Sequence, residues 1–469
     1  MADLINGEVP VGWKFTTLGA ICQSGGGSIQ TGPFGSQLHA SDYVSVGIPS
    51  VMPVNIGDNR IVEDGIMRIT EADATRLSRH RLQVGDIVYS RRGDVERRAL
   101  VRKPQEGWLC GTGCLKVRLG NGIVDPLFAS LYLGHPAVRQ WIVQHAVGAK
   151  MPNLNTEIMS AIPFALPPLT EQKRIAHILG TLDDKIELNR RMNATLEGIS
   201  RAIFKSWFVD FDPVRQKAAG QQPVGIDAQT VALFPDSFED SEIGEVPKGW
   251  ATCTLDDYTQ VVIGGDWGTS EPSATSESRC LCIRGADIPS LQNGGIGKLP
   301  LRYLKSSSLE KRRLAPWDLV IEISGGSPTQ STGRPVLVTQ GLVERLRLPV
   351  IASNFCRIVK LKDAEQAPFV YFWLRHLYDA DTFLQYENGT TGIKNFAYTL
   401  FAARHPLLSP DSRILEAFCL KVSPIIGFQQ QMAREADSLA SLRDTLLPKL
   451  LSGEIRVPEA EQTVEEAIA

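Results

Sequence analysis

No run of about eighteen apolar residues occurs, the length a membrane-spanning helix needs, so no such helix is expected. The opening Met1-Ala2-Asp3-Leu4-Ile5-Asn6 lacks the charged-then-apolar pattern of a secretory leader. Cysteine is sparse, with 8 residues scattered along the chain. Cys110 with Cys114 and Cys280 with Cys282 are the close pairs, and neither has a second pair or histidines at zinc spacing. Reduced thiols in a cytoplasmic protein without a bound metal are expected. Charge of one sign is also missing. Lys and Arg number 49 against 52 Asp and Glu, a net charge of −3, which excludes a uniformly basic coat but leaves a local basic face open.

Catalytic constellations are missing too. There is no G-x-x-x-x-G-K-[ST] phosphate loop, because no Lys follows Gly25-Gly26-Gly27-Ser28 or Gly264-Gly265-Asp266 at the required spacing, and both read as turns. H-E-x-x-H and G-x-S-x-G are absent. The adjacent carboxylates Asp183-Asp184 and Asp256-Asp257 diverge, and His80, His135, His177 and His405 have no metal spacing to one another. No cofactor is expected in this chain. What remains is an ordinary globular composition, 43% hydrophobic and 22% charged, over 469 residues, too long for one core.

The chain does contain a repeat. Gly7-Glu8-Val9-Pro10-Val11-Gly12-Trp13 returns as Gly244-Glu245-Val246-Pro247-Lys248-Gly249-Trp250, and both copies run on to Thr-Leu, Thr17-Leu18 and Thr254-Leu255. Asn55-Ile56 matches Asp287-Ile288, and the strand-like stretch from Arg81 to Val88 matches that from Arg313 to Val320. Cys114 with its alternating successors matches Cys356, Gly148-Ala149-Lys150 matches Gly392-Ile393-Lys394, and Ile162-Pro163-Phe164 matches His405-Pro406-Leu407. Ile87-Val88-Tyr89 and Leu319-Val320-Ile321 read as buried strands, and Cys114 to Leu119 as a half-exposed one.

Each repeat closes on a helix. Pro167-Pro168 forbids one just before Thr170, a good N-cap. Beyond it a heptad seam runs through Ile175, Ile178, Leu182, Met192, Leu196, Ile199 and Ile203, with Lys185 and Asn189 at the intervening positions. In the second tail the seam is Ile425, Phe428, Met432, Leu439, Leu442 and Leu446, with Glu435 as the polar exception. Pro424 fits a first turn, and Pro448 with Gly453 fits an end. Two narrow apolar seams on equivalent tails suggest mutual pairing, antiparallel about a pseudo-twofold axis; the alternative is that each packs on its own domain. The expected fold is mixed α/β (α+β). Its parts are a first domain over 1–165, a helical region over 166–212, a surface linker over 213–243, a second domain over 244–410, a distal helical region over 411–457 and a frayed acidic tail over 458–469.

Basic residues cluster between Arg76 and Lys103. Arg79, His80, Arg81, Arg91, Arg92, Arg97 and Arg98 are candidate DNA contacts, since arginine reads guanine edges and neutralises phosphates. Lys305, Arg312 and Arg313 are the weaker set in the second repeat. A merely solvated face is the alternative.

Leu166-Pro167-Pro168-Leu169-Thr170-Glu171-Gln172-Lys173-Arg174-Ile175-Ala176, with Leu182 to Asn189 and Ile203 to Phe211 beyond it, resembles the central conserved region of type I restriction–modification specificity subunits. Thr31-Gly32-Pro33-Phe34-Gly35-Ser36-Gln37-Leu38 and Gly85 to Asp94 resemble their target-recognition domains, and Leu446 to Ile455 their distal conserved region. The second repeat departs by carrying Leu408-Ser409-Pro410-Asp411-Ser412 in place of the P-P-L-T-E-Q phrase. The resemblance implies two tandem target-recognition domains, each reading half of a split, asymmetric site in double-stranded DNA. The two helices pair as an antiparallel coiled coil that sets the spacing. It further implies docking of two modification (methyltransferase) subunits, which hold S-adenosylmethionine, and two restriction subunits, which use ATP and Mg. The chain itself is then a non-catalytic specificity subunit. The rival readings are a stand-alone DNA methyltransferase or nuclease, and a two-module scaffold that binds protein only.

Overall fold

The computed structural model describes residues 9–148, 152–325, 330–389 and 393–468. Residues 1–6, Gly7 and Glu8 of the opening phrase, Ala149, Lys150 and Gly392 of the matched glycine–lysine segments, and Gly326 and Ser327 beyond the second basic stretch lie outside the described residues. The chain divides into two compact units, Met1–Lys185 with Ser438–Ala469, and Ile186–Asp437.

In the first unit a four-stranded antiparallel sheet runs in the order Gly26–Thr31, Cys114–Gly120, Ile87–Ser90, Arg98–Leu100. A smaller sheet, ordered Tyr43–Val44, Met67–Ile69, Ile48–Val51, Leu109–Cys110, lies with it, and Lys14–Thr17 pairs with Pro163–Leu166. The second unit repeats this plan. Its four-stranded sheet is Thr259–Gly264, Cys356–Leu361, Leu319–Glu322, Pro335–Leu337, beside a three-stranded sheet of Leu301–Leu304, Ser278–Ile283 and Val350–Ala352. Ala251–Cys253 pairs with Leu407–Ser409, in the place of the first unit's terminal pair. The register repeats as well, Ile87 opposite Val117 and Leu319 opposite Val359.

The same device fixes both central strands. Asp86 accepts the Gln83 N–H at 2.8 Å and takes a two-bond fork from Arg118 at 2.8 and 2.6 Å. Asp318 accepts the Ala315 N–H at 2.8 Å and pairs with Lys360 at 2.6 Å. Just before these aspartates the backbone enters the left-handed region, at φ 88° for Gly85 and 73° for Trp317. Glycine adopts this freely, whereas a tryptophan there is strained.

The strand Cys114–Gly120 is more covered than its alternation suggests. Lys116 is buried because its ammonium donates to the carbonyls of Arg79 and Arg81 at 2.9 and 3.2 Å, so the turn Ser78–His80 lies across that face.

The two long helices are Leu169–Phe208 and Ser412–Ser452. Pro168 blocks an earlier start, and its carbonyl accepts the N–H groups of Glu171 and Gln172 at 2.9 and 3.0 Å. Buried Gln172 accepts from Asp125 N and donates to Pro167 O, both at 2.8 Å, which staples the helix start to the first domain. Trp13 Nε1 donates to Glu171 at 3.2 Å. In the second repeat, which lacks the Thr-Glu-Gln phrase, buried Trp250 Nε1 has no partner among the described residues.

The two long helices touch within each unit, and in the second unit their order is antiparallel. In the first unit Arg443 bonds Asp183 at 2.7 Å. In the second, Gln429 donates to Asn193 O at 3.1 Å, and the Phe204 and Phe208 rings lie 6.0 and 5.1 Å from Phe418. The position on the second helix falls as that on the first rises.

The seam differs from the one read off apolar spacing. Leu182, Met432, Leu439 and Leu446 are buried, and Met192, Leu196, Ile203, Ile425 and Leu442 are half-buried. Ile199 and Phe428 are 44% and 40% exposed and do not belong to it. The buried stripe runs instead through Ile186, Asn189, Asn193, Ser200, Phe204 and Trp207, facing Val422, Ile426 and Gln429. Apolar spacing missed it because its middle is polar. Pro424 and Pro448 both lie inside the second helix, not at its ends, and Gly453 follows its last residue.

Two further expectations are corrected. The stretch 213–243 carries helices Asp212–Ala218 and Ala228–Leu233 and a strand Phe238–Ser241, and its Val214 and Phe234 join the aromatic core of the second unit. The acidic tail forms the helix Val457–Ile468, with Ala460 and Val464 buried and Arg174 held on Glu461 at 2.7 Å.

The revised seam has a measurable consequence. Phe204→Ala, which empties a site among the rings of Phe208, Phe369, Phe372, Trp373 and Phe418, should cost about 3–5 kcal/mol. Ile199→Ala, on the exposed side, should cost less than about 0.5 kcal/mol. Urea unfolding of the two variants separates them, and equal losses would restore the apolar-spacing seam.

Candidate nucleic-acid interface

At one end of each four-stranded sheet four stretches of chain converge. In the first unit Arg91 N donates to Gly113 O at 2.8 Å, Gly32 N to Cys114 O at 2.9 Å, Gly93 N to Pro152 O at 3.1 Å, and Leu154 N to Arg91 O at 2.9 Å. Arg92 forms an antiparallel bridge with Asn153. The loop after the buried strand Ile87–Ser90 is thus held between the loop at Gly32, the turn at Gly113 and the segment 152–154. Ser90 Oγ closes the turn by donating to Arg92 O at 2.9 Å.

The second unit places equivalent backbone bonds at equivalent positions. Ile323 N donates to Phe355 O at 2.8 Å, Gly265 N to Cys356 O at 3.3 Å, and Phe396 N to Ile323 O at 2.9 Å. Ser324 and Gly325 pair with Asn395 and Lys394. The scaffold is repeated while the side chains it presents are not.

In the first unit those side chains are exposed Arg92, half-buried Arg91 and Phe34, which is 53% exposed with the Arg91 guanidinium 5.7 Å from its ring centre. In the second they are Trp267, with the Arg302 guanidinium 3.9 Å over its ring, exposed Phe355, and Asn395 beside Lys394, whose ammonium lies 2.9 Å from Glu387. A cation on an aromatic face keeps its charge outward while losing side-chain freedom. Trp267, Arg302, Phe355, Asn153, Lys394 and Asn395 were not legible as site residues, because the basic density that drew attention to Arg76–Lys103 is absent around them.

The other candidates are dispersed. Arg79 is exposed, and its Nε donates to His80 Nε2 at 2.9 Å. His80 is only 2% exposed, and burial beside the Arg79 and Lys116 cations pushes its pKa down to about 4. It is neutral at pH 7 and presents no charge to a phosphate, a correction to its place among the DNA contacts. Arg81 is half-buried, donating to Ala74 O at 3.2 Å and paired with Glu71. Arg97 is half-buried and 3.8 Å from Asp94.

Arg98 is also corrected. It faces inward from its strand, is 8% exposed, and donates through Nε to Ser130 O. Lys305 and Arg313 are exposed at the two ends of the helix Ser306–Arg312. Arg312 is half-buried and donates to Gly264 O at 3.0 Å, beside the loop that carries Trp267.

The buried histidine gives a pH dependence. Its folded pKa lies below the ordinary value, so between about 6.5 and about 4 the unfolded chain binds the extra proton. Stability is therefore unaffected by His80 above this window and falls as the pH drops through it. At about pH 5 the loss should reach up to about 2 kcal/mol. His80→Gln should remove that part of the difference between urea midpoints at about pH 7.5 and pH 5. An unchanged difference would show that the imidazole titrates normally.

Residues 10–198 match the family described as the type I restriction modification DNA specificity domain. The chain is 25% identical over 452 residues to the type I restriction enzyme HindI specificity subunit of Haemophilus influenzae, covering 87% of this chain and 95% of that one. It is 22% identical over 476 residues to the MjaIX specificity subunit of Methanocaldococcus jannaschii, covering 97% and 96%. Its fold is similar to the crystal structure of a type I restriction–modification S subunit from M. genitalium, with a TM-score of 0.50 at 15% identity over 94% of this chain and 96% of that one.

Proposed function

We propose that this chain, whose residues 10–198 match the type I restriction modification DNA specificity domain, is a non-catalytic specificity subunit whose two units each read one half of a split, asymmetric site in double-stranded DNA. The observation that carries this reading is the loop cluster built twice on the same backbone bonds with different side chains. One scaffold with two sets of side chains suits a reader of two different half-sites. In the first unit Arg91 and Arg92 supply forked donors for guanine edges or phosphates, and Phe34 an aromatic face. In the second, Arg302 on Trp267, Lys394 and Asn395 supply a different set, asparagine being suited to adenine.

The proposal extends to assembly. The long helices, uninterrupted over Leu169–Phe208 and Ser412–Ser452, set the spacing of the half-sites. The conserved segments at their starts and ends dock two modification and two restriction subunits, which carry S-adenosylmethionine, ATP and Mg. Among the described residues no helix is long and apolar enough to cross a membrane.

Replacing Arg91 and Arg92 together by Ala should weaken DNA binding of the assembled methyltransferase. A lost base contact is worth about 1–3 kcal/mol, and a lost phosphate contact lowers the slope of log affinity against log salt by about one. Unchanged affinity and slope would return both residues to a solvated face. Exchanging residues 246–410 for those of a relative should change one half of the methylated sequence and leave the other. Sequencing the methylated sites in cells that carry the hybrid reads this directly, and a change in both halves would show that the units read jointly.

A further inference from the structure

The first unit contains a cavity of about 490 Å³, bordered on one side by Asp94, Glu96 and Arg97 of the loop that carries Arg91 and Arg92. Its wall includes Arg98, Asn59 and Gly134. Arg98 is more than nine-tenths buried, and its Nε is satisfied by Ser130 O. Among the described residues neither of its terminal amino groups has an acceptor, and no carboxylate lies within ion-pair distance of it. Gly134 makes room for the guanidinium, since a Cβ there would lie 1.8 Å from Nη2. Asn59 stands beside it through a bridge to Ala99, held in the left-handed region at φ 55°. Its Oδ1 accepts from Ser130 Oγ, and its buried Nδ2 has no partner among the described residues. Two buried donor groups, both positioned by Ser130, thus line one cavity and lack an acceptor. Asp58 and Asp183 act on Arg98 only from a distance, and a buried guanidinium with no counter-charge in contact is costly unless something else supplies one.

The remaining lining charges limit what that can be. Arg139 is forked on Glu96 at 3.2 and 2.6 Å, and Arg443 bonds Asp183 at 2.7 Å. Asp58 and Asp94 are only loosely held, 3.7 Å from Arg443 and 3.8 Å from Arg97, with side chains 64% and 59% exposed. Among the described residues the wall therefore combines one cation with no anion in contact and two carboxylates that have acceptor capacity to spare. A dianionic phosphate would meet those carboxylates unfavourably. A carboxylate that carries its own positive charge satisfies both sides, and the planar fork of arginine matches a carboxylate bidentately.

We propose that this cavity binds a small zwitterionic carboxylate of the amino-acid type, its carboxylate on Arg98 and Asn59 and its ammonium towards Asp58 and Asp94. A free metabolite and a charged side-chain pair on a partner protein share this chemistry. The volume lies in the range of small-molecule sites.

The full chain is titrated by calorimetry with 5-aminovalerate, acetate, the ethyl ester of 5-aminovalerate, inorganic phosphate and a short Lys–Glu peptide. The expected result is saturable binding of aminovalerate, weaker binding of acetate, and none of the ester or phosphate. Tighter binding of the peptide than of aminovalerate would assign the site to a partner protein, and the reverse order to a metabolite. Arg98→Met should abolish binding. Because that variant alters a buried position, Asp58→Asn at the exposed rim provides the second test. It should weaken aminovalerate about tenfold, the worth of one charge-assisted bond, and leave acetate unchanged. Absence of binding by either zwitterion at millimolar concentration, or a preference for phosphate, would overturn the proposal and leave Arg98 solvated by water alone. DNA binding by the Asp58→Asn protein should remain normal, which separates this site from the reading loops.

Discussion

The ion pair between Arg443 and Asp183 joins chain from opposite ends of the sequence inside one unit. Arg443 also reaches Asp444 at 2.8 Å and Asp58 at 3.7 Å; against the opposing effect of its burial, hydrogen bonds to Asp183 and Asp444 raise the pKa of its already permanent charge. Losing Asp183 would strip Arg443 of its one buried carboxylate and leave it on the exposed Asp444. Here the cost would fall on the closure of the unit, since residues 438–469 pack with residues 1–185 only after the whole second repeat has been made. Contacts of such long sequence separation form late and slowly. Arg174 on Glu461 and the buried Ala460 and Val464 then extend the closure to the end of the described chain.

Against that closure the recognition domains are locally self-sufficient. Asp86 with Arg118, and Asp318 with Lys360, bind a turn to the neighbouring strand inside each sheet. Each neutralises a cation that would otherwise add to the basic face. The strand that leaves the aspartate ends in the loop that carries the variable residues, Arg91 and Arg92 in one unit and Ser324 and Gly325 in the other. A rigid base under a changeable loop lets side chains diverge without loss of fold.

The repeat was legible because turn chemistry and strand alternation are local. Trp13 and Trp250, Asp86 and Asp318, and Cys114 and Cys356 mark equivalent backbone positions, and the paired registers follow from them. Side-chain direction was less legible. Arg98 and His80 lie in the most basic window of the chain, yet one faces inward from its strand and the other is buried within the turn that packs over Lys116. Charge density along a sequence does not say which face of a strand a residue occupies. The segment 213–243 looked like a linker because its polar residues outnumber Val214 and Phe234, the two that anchor it. The helical seam was misplaced for a related reason. Counting apolar residues passes over Asn189, Asn193 and Ser200, which are buried, and selects Ile199, which is not.

That polar stretch has a bearing on identity. Seams of leucine alone are interchangeable, and a helix carrying one accepts another shifted by a heptad or borrowed from a sibling protein. Gln429 spends its amide on the backbone of Asn193, a bond that exists in one register only. Asn189 and Ser200, buried without partners among the described residues, lower the stability of this pairing rather than add to it. The stretch that adds least apolar burial to the two helices is thus also the stretch whose one interhelical amide bond marks a single register.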